Sequence, residues 1–201
     1  MNPWVLQWVI DTSAFTHIAR AGHLEILELL APTGVLVVPD SVGFEVSAGR
    51  NGYQGIPDIK DMDWFELAVL LGPEADTQIE AKANLATTGT SDLGECAVIA
   101  VAKHRGMLAV LDDGAGRKEA AAHKITVRMT LWVVLQAHLH LPGYDREKTV
   151  KVVDDLLATG MRLGIKSGES FFAQTYMEGW QPDKMARPGC ACPHCEEVRR
   201  G

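Results

Sequence analysis

The stretch from Val5 to Ile10 constrains the fold more than any other, because it is apolar and ends abruptly at Asp11, Thr12 and Ser13. A short apolar run bounded by polar residues predicts a strand buried on both faces, as in a parallel sheet. Ligands of open α/β sheets bind outside the carboxyl ends of the strands. Asp11 therefore lies either at a binding crevice or simply at the cap of the next helix.

Apolar strands alternate with helical patterns along the rest of the chain. Further strands are predicted over residues 35–38, 107–111 and 125–127, and residues 63–70 have strand-like content, though a helix is possible there. Helices are predicted over 14–20, 24–30, 73–86, 91–102, 116–122, 131–141 and 146–157. In the helix over 73–86, Ile79 is expected to face the core. The alternation predicts an α/β layer fold with a mainly parallel sheet.

Composition limits the possible classes of protein. A chain of 201 residues with a hydrophobic fraction of 47% suits one domain of ordinary size with a small appendage. The sequence has no segment apolar enough to span a bilayer and no secretory signal, so we expect a cytoplasmic protein with no membrane partner. A formal charge of −7 gives no general attraction to nucleic acid, so such binding must use a local basic patch or bridging cations.

Acidic residues recur at the edges of the apolar segments. Asp112 and Asp113 end the strand predicted over 107–111, and Glu45 lies one to two turns inside the helix that follows the second strand. Asp113 can equally be a helix cap, and a single helical glutamate is usually solvated. Two strands that both end in aspartate indicate a site more strongly than either one alone.

The helix predicted over 91–102 is small and apolar almost all round, which predicts burial on most faces. Asp92 and Glu95 are three residues apart and share one face of it. They could form a capping box, with Asp92 as the cap and Glu95 reaching back. That explanation suits Asp92 better than Glu95, because Glu95 adjoins the buried run.

Three of the four cysteines lie near the C-terminus, where Cys190, Cys192, His194 and Cys195 offer zinc ligands at close spacing. The Cys-Pro-His-Cys pattern also occurs in thiol–disulfide oxidoreductases, but there it opens a helix after a strand. Here it stands in a polar tail after several prolines. A tail with free thiols and a Zn²⁺ site, alone or shared across a dimer, both remain open, and Cys96 is expected to be core.

Together these features resemble the PIN domain, a compact α/β nuclease fold, over roughly residues 5–141. The resemblance rests on the strand before Asp11, on Glu45, on Gly94-Glu95 leading a small apolar helix, and on the strand ending at Asp113. It implies a three-layer α/β/α sandwich with a mainly parallel, twisted central sheet. Residues 1–141 would form the PIN-like nuclease domain, and residues 142–201 a helical extension with a Cys-rich tail.

Other details resemble one poorly characterised branch of the family, described as predicted nucleic-acid-binding PIN proteins. These details are Arg117 and Ala120 after the paired aspartates, and the helix that follows Thr130. The chain departs from many PIN nucleases in having Glu95 where they have aspartate, and from relatives in having Met129 where glycine is frequent. The longer side chain matters for an ion that demands octahedral geometry.

The resemblance implies an enzyme: a hydrolase that cleaves RNA with Mg²⁺ or Mn²⁺. Converging carboxylates repel one another, and a hard divalent ion relieves the repulsion, activates a water and screens the phosphate. The implied catalytic and metal-binding residues are Asp11, Glu45, Glu95 and Asp113, with Asp112 and Asp92 as further ligands. Implied RNA contacts are Thr12, Ser13, Lys103, Arg105, Arg117 and Lys118, although each cation is individually more typical of a solvated helix end.

Two classes of function follow from these expectations. One is a metal-dependent ribonuclease, potentially the toxin of a toxin–antitoxin pair, with RNA, an antitoxin protein and a second copy of the chain as partners. The other is a non-catalytic PIN-like module that binds RNA or a protein through the same crevice. A receiver-like phospho-acceptor domain fits poorly, because Asp11 and the Asp112-Asp113 pair stand in the wrong order for it.

Overall fold

The computed structural model describes residues 6–50, 52–85 and 92–177, and in this part of the chain five strands form one sheet. The strand order is β3-β2-β1-β4-β5, and every pairing is parallel. The strands are β1 (Trp8–Ile10), β2 (Leu36–Pro39), β3 (Phe65–Ala68), β4 (Leu108–Val110) and β5 (Val127–Arg128). The parallel α/β/α sandwich expected from the sequence is confirmed.

The first strand occupies the centre of the sheet. Trp8 lies opposite Leu36 on one side and Leu108 on the other. All residues of β1 are fully buried, as predicted for a strand covered on both faces. Because the strands are parallel, the residues that follow β1 and β4 meet at the same edge of the sheet.

The structure divides into two compact units, Met1–Thr130 and Leu131–Gly201. The first holds the sheet together with α1 (Thr12–Arg20), α2 (Glu25–Leu30), α3 (Asp40–Gly49), α4 (Pro73–Asn84), α5 (Leu93–Arg105) and α6 (Gly114–Ala122), plus short 3₁₀ turns at Pro32–Gly34 and Ile59–Asp61. The boundary predicted after residue 141 stays a prediction.

Helix α5 is the buried helix of the first unit. Its small residues, among them Ala97 and Ala100, are inaccessible to solvent, which lets the helix pack closely against β1 and β2. It ends at Arg105 and is capped by Gly106, which has a left-handed conformation (φ 66°) two residues before β4. Since α5 runs back along the sheet before β4, its first turn lies at the edge where the strands end.

Helix α4 corrects one expectation about the core. Ile79, predicted to face inward, is 69% exposed, and the buried face of α4 is formed by Thr77 and Ala81. These small residues lie against α5, where Thr77 Oγ1 is 2.8 Å from His104 Nε2. A close helix–helix approach favours small side chains over isoleucine on the contacting face.

The second unit is helical where it is described, as expected. It comprises α7 (Thr130–His140, whose first residue closes the first unit), α8 (Arg146–Ala158) and α9 (Gly168–Met177). Gly168 begins α9. A Cβ there would lie 2.2 Å from the Val150 carbonyl oxygen, so the lack of a side chain at Gly168 lets α9 approach the backbone of α8 closely. Its N–H donates to Asp154 at 2.6 Å. In the described residues, no helix combines the length and apolarity needed to cross a membrane.

Candidate active site

Asp11 stands where β1 ends and α1 begins. Its backbone N–H donates to the Val110 carbonyl oxygen at 3.2 Å, and its carboxylate caps α1 by accepting the Ala14 N–H at 2.8 Å. The residue is only 5% exposed. The cap is therefore compatible with the predicted position at a binding crevice, because the carboxylate that caps α1 also lies at the carboxyl end of β1.

Glu45 connects three helices through its two oxygens. One accepts the Gly94 N–H at 2.9 Å, and the other accepts the hydroxyl of Thr12. A Cβ at Gly94 would lie 2.6 Å from the Glu45 carboxylate and 3.0 Å from the Thr12 hydroxyl oxygen. Glycine at position 94 is therefore what allows α1, α3 and α5 to meet at this carboxylate.

Glu95 lies in the first turn of α5 and points toward α6. Its Oε1 atom is buried and has no hydrogen-bonding partner of good geometry in the described part of the chain. A Cβ at Gly116 would lie 1.6 Å from this oxygen, so the Glu95 side chain occupies the place where any other residue 116 would carry its side chain.

The paired aspartates after β4 have different roles. Asp113 caps α6, because its exposed side chain accepts the N–H groups of Ala115 (2.6 Å) and Gly116 (3.2 Å). Asp112 instead accepts the backbone N–H of Thr130 at 3.0 Å and its hydroxyl at 2.6 Å. The cap expected for Asp113 is confirmed, and Asp112 takes the more buried position.

The carboxylates are close enough to shift one another's protonation. Burial, then the charge of Asp112, then those of Glu95 and Glu45 raise the pKa of Asp11 well above its ordinary value, against a lowering by the Ala14 amide. We call Asp11, Glu45, Asp92, Glu95, Asp112 and Asp113 the acidic cluster. It gathers all six acids predicted for the site at the edge of the sheet where β1 and β4 end.

Two further members of the acidic cluster have shifted pKa values. Burial, followed by the charges of Asp113, Asp92 and Glu45, raises the pKa of Glu95 to about 7, while the nearby Gly116 amide acts in the opposite direction. Burial also raises the pKa of Asp112, although the hydrogen bonds from Thr130 and the charge of Arg117 lower it. The protein thus holds several acids in a place that disfavours their negative charges.

Asp92 does not form the capping box considered from the sequence. It is the N-cap residue of α5 by position, but it has a left-handed backbone (φ 60°) and its side chain makes no capping hydrogen bond. Its contribution to the site is its charge, which raises the pKa of Glu95.

The predicted RNA-contacting cations divide into two groups. Arg117 and Lys118 are exposed on α6 beside Asp113, and Arg117 Nε donates to the Asp113 carbonyl oxygen at 3.3 Å. Lys103 and Arg105 lie at the opposite end of α5, about 12 Å and about 15 Å along the helix axis from Glu95. The structure therefore does not bring this second pair to the acidic cluster.

Lys103 and Arg105 instead bind within the protein. Lys103 Nζ donates to Thr77 at 3.3 Å, and Arg105 forms an ion pair with Glu74 at 2.7 Å while also donating to the Val69 carbonyl oxygen. Of the two predicted hydroxyls, Thr12 holds Glu45, and Ser13 is exposed in the first turn of α1.

The cysteines are only partly described. Cys96 is fully buried in α5, as expected, and burial raises its thiol pKa to about 11, so it stays protonated. The predicted zinc ligands Cys190, Cys192, His194 and Cys195 lie outside the described residues, and that site stays a prediction.

A hard divalent cation fits the donor chemistry of the acidic cluster. The donors are carboxylate oxygens, which Mg²⁺ and Mn²⁺ prefer, and the buried Oε1 of Glu95 makes no well-formed hydrogen bond within the described residues. The described residues nevertheless contain no three acids, histidines or cysteines already arranged to hold an ion. Side chains that now cap helices would have to turn toward it.

Sequence reasoning missed the groups that hold the acids in place. Gly94 and Gly116 create the space for Glu45 and Glu95, and Thr130 holds Asp112. The sequence did contain a signal for the two glycines, because Gly94 directly precedes the candidate acid Glu95 and Gly116 lies in the turn after the candidate acid Asp113. The partnership of Thr130 with Asp112 spans 18 residues and had no local signal.

Comparison with known proteins agrees with this geometry. Residues 7–175, most of the chain, match the DUF3368 family, which is described as a PIN domain. No curated protein matches the sequence. PIN domains are generally nucleases and typically use divalent metals. With its parallel sheet, its acidic cluster and a match over most of its length, the chain belongs to the PIN-domain family.

Proposed function

We propose that the protein is a metal-dependent endoribonuclease that hydrolyses RNA phosphodiester bonds at the acidic cluster. The observation that carries the proposal is the convergence of acids from the ends of β1 and β4 and from α3 and α5, close enough that their charges raise the pKa values of Asp11 and Glu95. Such perturbed acids at the ends of parallel strands are typical of functional sites.

Each acid has a defined position in this proposal. Asp11, Glu45, Glu95 and Asp113 would hold Mg²⁺ or Mn²⁺, with Asp112 and Asp92 beside them. When bound, the ion would lower the pKa of a water and stabilise negative charge on the phosphoryl oxygens. Thr12 keeps Glu45 oriented, and a carboxylate fixed in this way loses little freedom when a ligand binds.

Arg117 is the cation best placed to meet the substrate. It is exposed on α6, its charge lowers the pKa of Asp112, and its Nε is fixed by the Asp113 carbonyl oxygen. A guanidinium can bind a phosphate through two parallel hydrogen bonds. A cation beside the acids would compensate for the net charge of −7, which repels RNA.

The substitution Asp11→Asn tests the proposal. Asparagine is as good an N-cap as aspartate, so α1 keeps its cap while the cluster loses one charge. We expect RNA cleavage to fall by at least about a thousandfold, as for loss of a major electrostatic group. The matched control is Asp145→Asn, which changes the cap of α8 outside the acidic cluster and should leave cleavage intact.

Metal binding gives a test that does not depend on activity. Mn²⁺ titrated by calorimetry should bind the parent chain and bind Asp11→Asn much more weakly, and anomalous scattering from Mn²⁺-soaked crystals should give a peak among the six acids. Undiminished cleavage by Asp11→Asn, or Mn²⁺ bound only elsewhere, would contradict the proposal.

A non-catalytic PIN-like module is the second candidate, and one observation favours it. Asp11, Glu45, Asp112 and Asp113 all accept hydrogen bonds from the protein, and no ready-made metal group exists in the described residues. Such a module would bind RNA or a protein partner through the same edge of the sheet. It predicts RNA affinity without cleavage in Mg²⁺ or Mn²⁺, unchanged by Asp11→Asn.

The most specific version of the ribonuclease proposal is a homodimeric toxin with an antitoxin partner. Its test is growth: expression of the parent chain should arrest cells, expression of Asp11→Asn should not, and co-expression of an antitoxin should restore growth. Sedimentation of the purified chain tests the dimer. Normal growth during expression of an active nuclease would remove the toxin role and leave the nuclease.

A further inference from the structure

We propose that Arg20 and Tyr53 form a stacking platform for a base of single-stranded RNA, at the end of the α1–α3 pair remote from the acidic cluster. The guanidinium carbon of Arg20 lies 4.2 Å from the centre of the Tyr53 ring. The choice of RNA as the ligand rests on the proposed function. The position of the platform rests on the geometry of α1, α3 and the turn after α3.

Helix α1 contacts α3 near its own first residue and the segment after α3 near its own last residue. Close to the acidic cluster the Thr12 hydroxyl donates to Glu45, and at the other end Arg20 covers Tyr53. Arg20 follows Thr12 by eight positions, which corresponds to about 12 Å along the helix. The two contacts therefore lie at the first and last residues of α1. We call the strip of α1 between them, which begins at the acidic cluster, the track.

The same spacing recurs on both sides of this track. Thr12, Thr16 and Arg20 are four residues apart on one face of α1, and all three are half-buried. On the α3 side, Gly49 and Tyr53 follow Glu45 at the same interval. The Tyr53 N–H donates to the Gly49 carbonyl oxygen at 3.1 Å, which places the ring directly after the helix.

Tyr53 remains available to a ligand although Arg20 lies over it. The residue is 54% exposed. Near Tyr53 in the chain, Arg50 and Asp58 form an ion pair of 2.6 Å, and Asp58 also caps the next turn by accepting the Lys60 N–H. A ring held in place in advance loses little conformational freedom on binding.

The chemistry of the pair matches a nucleobase and its phosphate. Bases of single strands stack on aromatic rings and on arginine planes, and this stacking does not depend on the base. The positive charge of Arg20 also attracts the phosphate backbone of RNA. Because the protein has a net charge of −7, binding of RNA depends on local positive charges of this kind. Lys103 and Arg105, by contrast, are bound to Thr77 and Glu74.

The test measures binding of a fluorescein-labelled, single-stranded RNA octanucleotide to the full chain carrying Asp11→Asn, by fluorescence anisotropy. In that background Tyr53→Ala should raise Kd about fivefold to a hundredfold, and Tyr53→Phe should restore it, because the ring is what stacks. Phe44→Ala is the matched control: Phe44 is a 75% exposed aromatic side chain on α3 and should not matter. Thermal melts confirm that each variant folds.

The outcomes separate this proposal from the nuclease proposal. Affinity of Tyr53→Ala equal to that of its parent, or an equal loss for Phe44→Ala, would overturn the platform. So would an equal loss of affinity for a fully paired RNA duplex, whose bases cannot stack on the ring. A parent chain that binds through Tyr53 but never cleaves RNA would leave the platform standing and remove the nuclease.

Discussion

The α3 side and the α5–α6 side of the acidic cluster hold their glutamates in opposite ways. Glu45 on α3 receives two hydrogen bonds, from the Gly94 N–H and the Thr12 hydroxyl. Glu95 on α5 has a buried oxygen with no hydrogen bond of good geometry in the described part of the chain, and a pKa raised to about 7. One carboxylate is stabilised by the fold, and the other is destabilised by it.

This difference separates a positioning role from a reactive one. Two donors fix the orientation of Glu45, so its contribution is geometric. A buried carboxyl oxygen without a donor costs free energy, and natural proteins retain such groups mainly where they serve a function. Of the two glutamates, Glu95 would therefore gain more from a bound cation, and the comparison predicts opposite consequences for changes on the two sides.

The largest effect is expected from Gly116→Ala. The new methyl group would occupy the position of the Glu95 carboxyl, whose oxygen lies 1.6 Å from that site, so Glu95 must move. A displacement of about 1 Å can cost about a hundredfold in rate, and we expect cleavage to fall by at least that factor. Gly114→Ala, in the same turn but with open space around it, should retain full activity. Equal activity of the two variants would contradict this account of Glu95.

The pH dependence of metal affinity should show the raised pKa of Glu95. A carboxyl must lose its proton to bind a cation, so below pH 7 the affinity for Mn²⁺ should fall about tenfold per pH unit for each such proton. Calorimetry between pH 5 and pH 8 measures the slope. Glu95→Gln should flatten the curve near pH 7, and an unchanged curve would assign the inflection to another acid.

Stability measurements without metal should give opposite signs for the two glutamates. The folded pKa of Glu95, about 7, exceeds its ordinary value of 4.5, so ionisation destabilises the fold as pH rises through this window. Glu95→Gln should therefore stabilise the protein at pH 8 by about 1–2 kcal/mol, after allowance for partial exposure, and give no gain at pH 4. Glu45→Gln should cost about 1–2 kcal/mol, because it weakens two charge-assisted hydrogen bonds. Urea unfolding at both pH values measures these differences, and the same sign for both variants at pH 8 would break the comparison.

The smallest effect is expected from Thr12→Val, which removes one of the two donors to Glu45. We expect a loss of about 1 kcal/mol in the free energy of unfolding. Thr12→Ser keeps a hydroxyl and should restore most of it, whereas Ser13→Ala, at an exposed position of the same turn, should change little. A Thr12→Val variant as stable as the parent would show that the Gly94 N–H alone suffices.

The sequence predicted the acids of the site well because parallel strands make their carboxyl ends coincide. Once β1 and β4 were identified, Asp11 and the Asp112-Asp113 pair had to meet at one edge. The sequence could not predict that Asp112, and not Asp113, would take the more buried position of the pair. That depends on Thr130, which belongs to a later segment and binds Asp112.

Charged residues away from the sheet edge were less predictable. Lys103 and Arg105 are near Glu95 in sequence, but nine residues of helix lie between Glu95 and Arg105, and Glu74 on α4 neutralises that arginine. Ile79 was wrongly placed in the core because the partner of α4 is another helix and not the sheet. Both outcomes depend on tertiary contacts that no local pattern encodes.

The central position of β1 also sets the order of events during synthesis. One edge of β1 pairs with β4, whose residues are made about a hundred residues later, which at about 5–20 residues per second means roughly 5–20 s. Asp112 and Asp113 follow β4 directly. A nascent chain therefore cannot assemble the full set of acids until Asp113 has left the ribosome, so the proposed activity would be withheld from the RNAs that surround its own translation until that point.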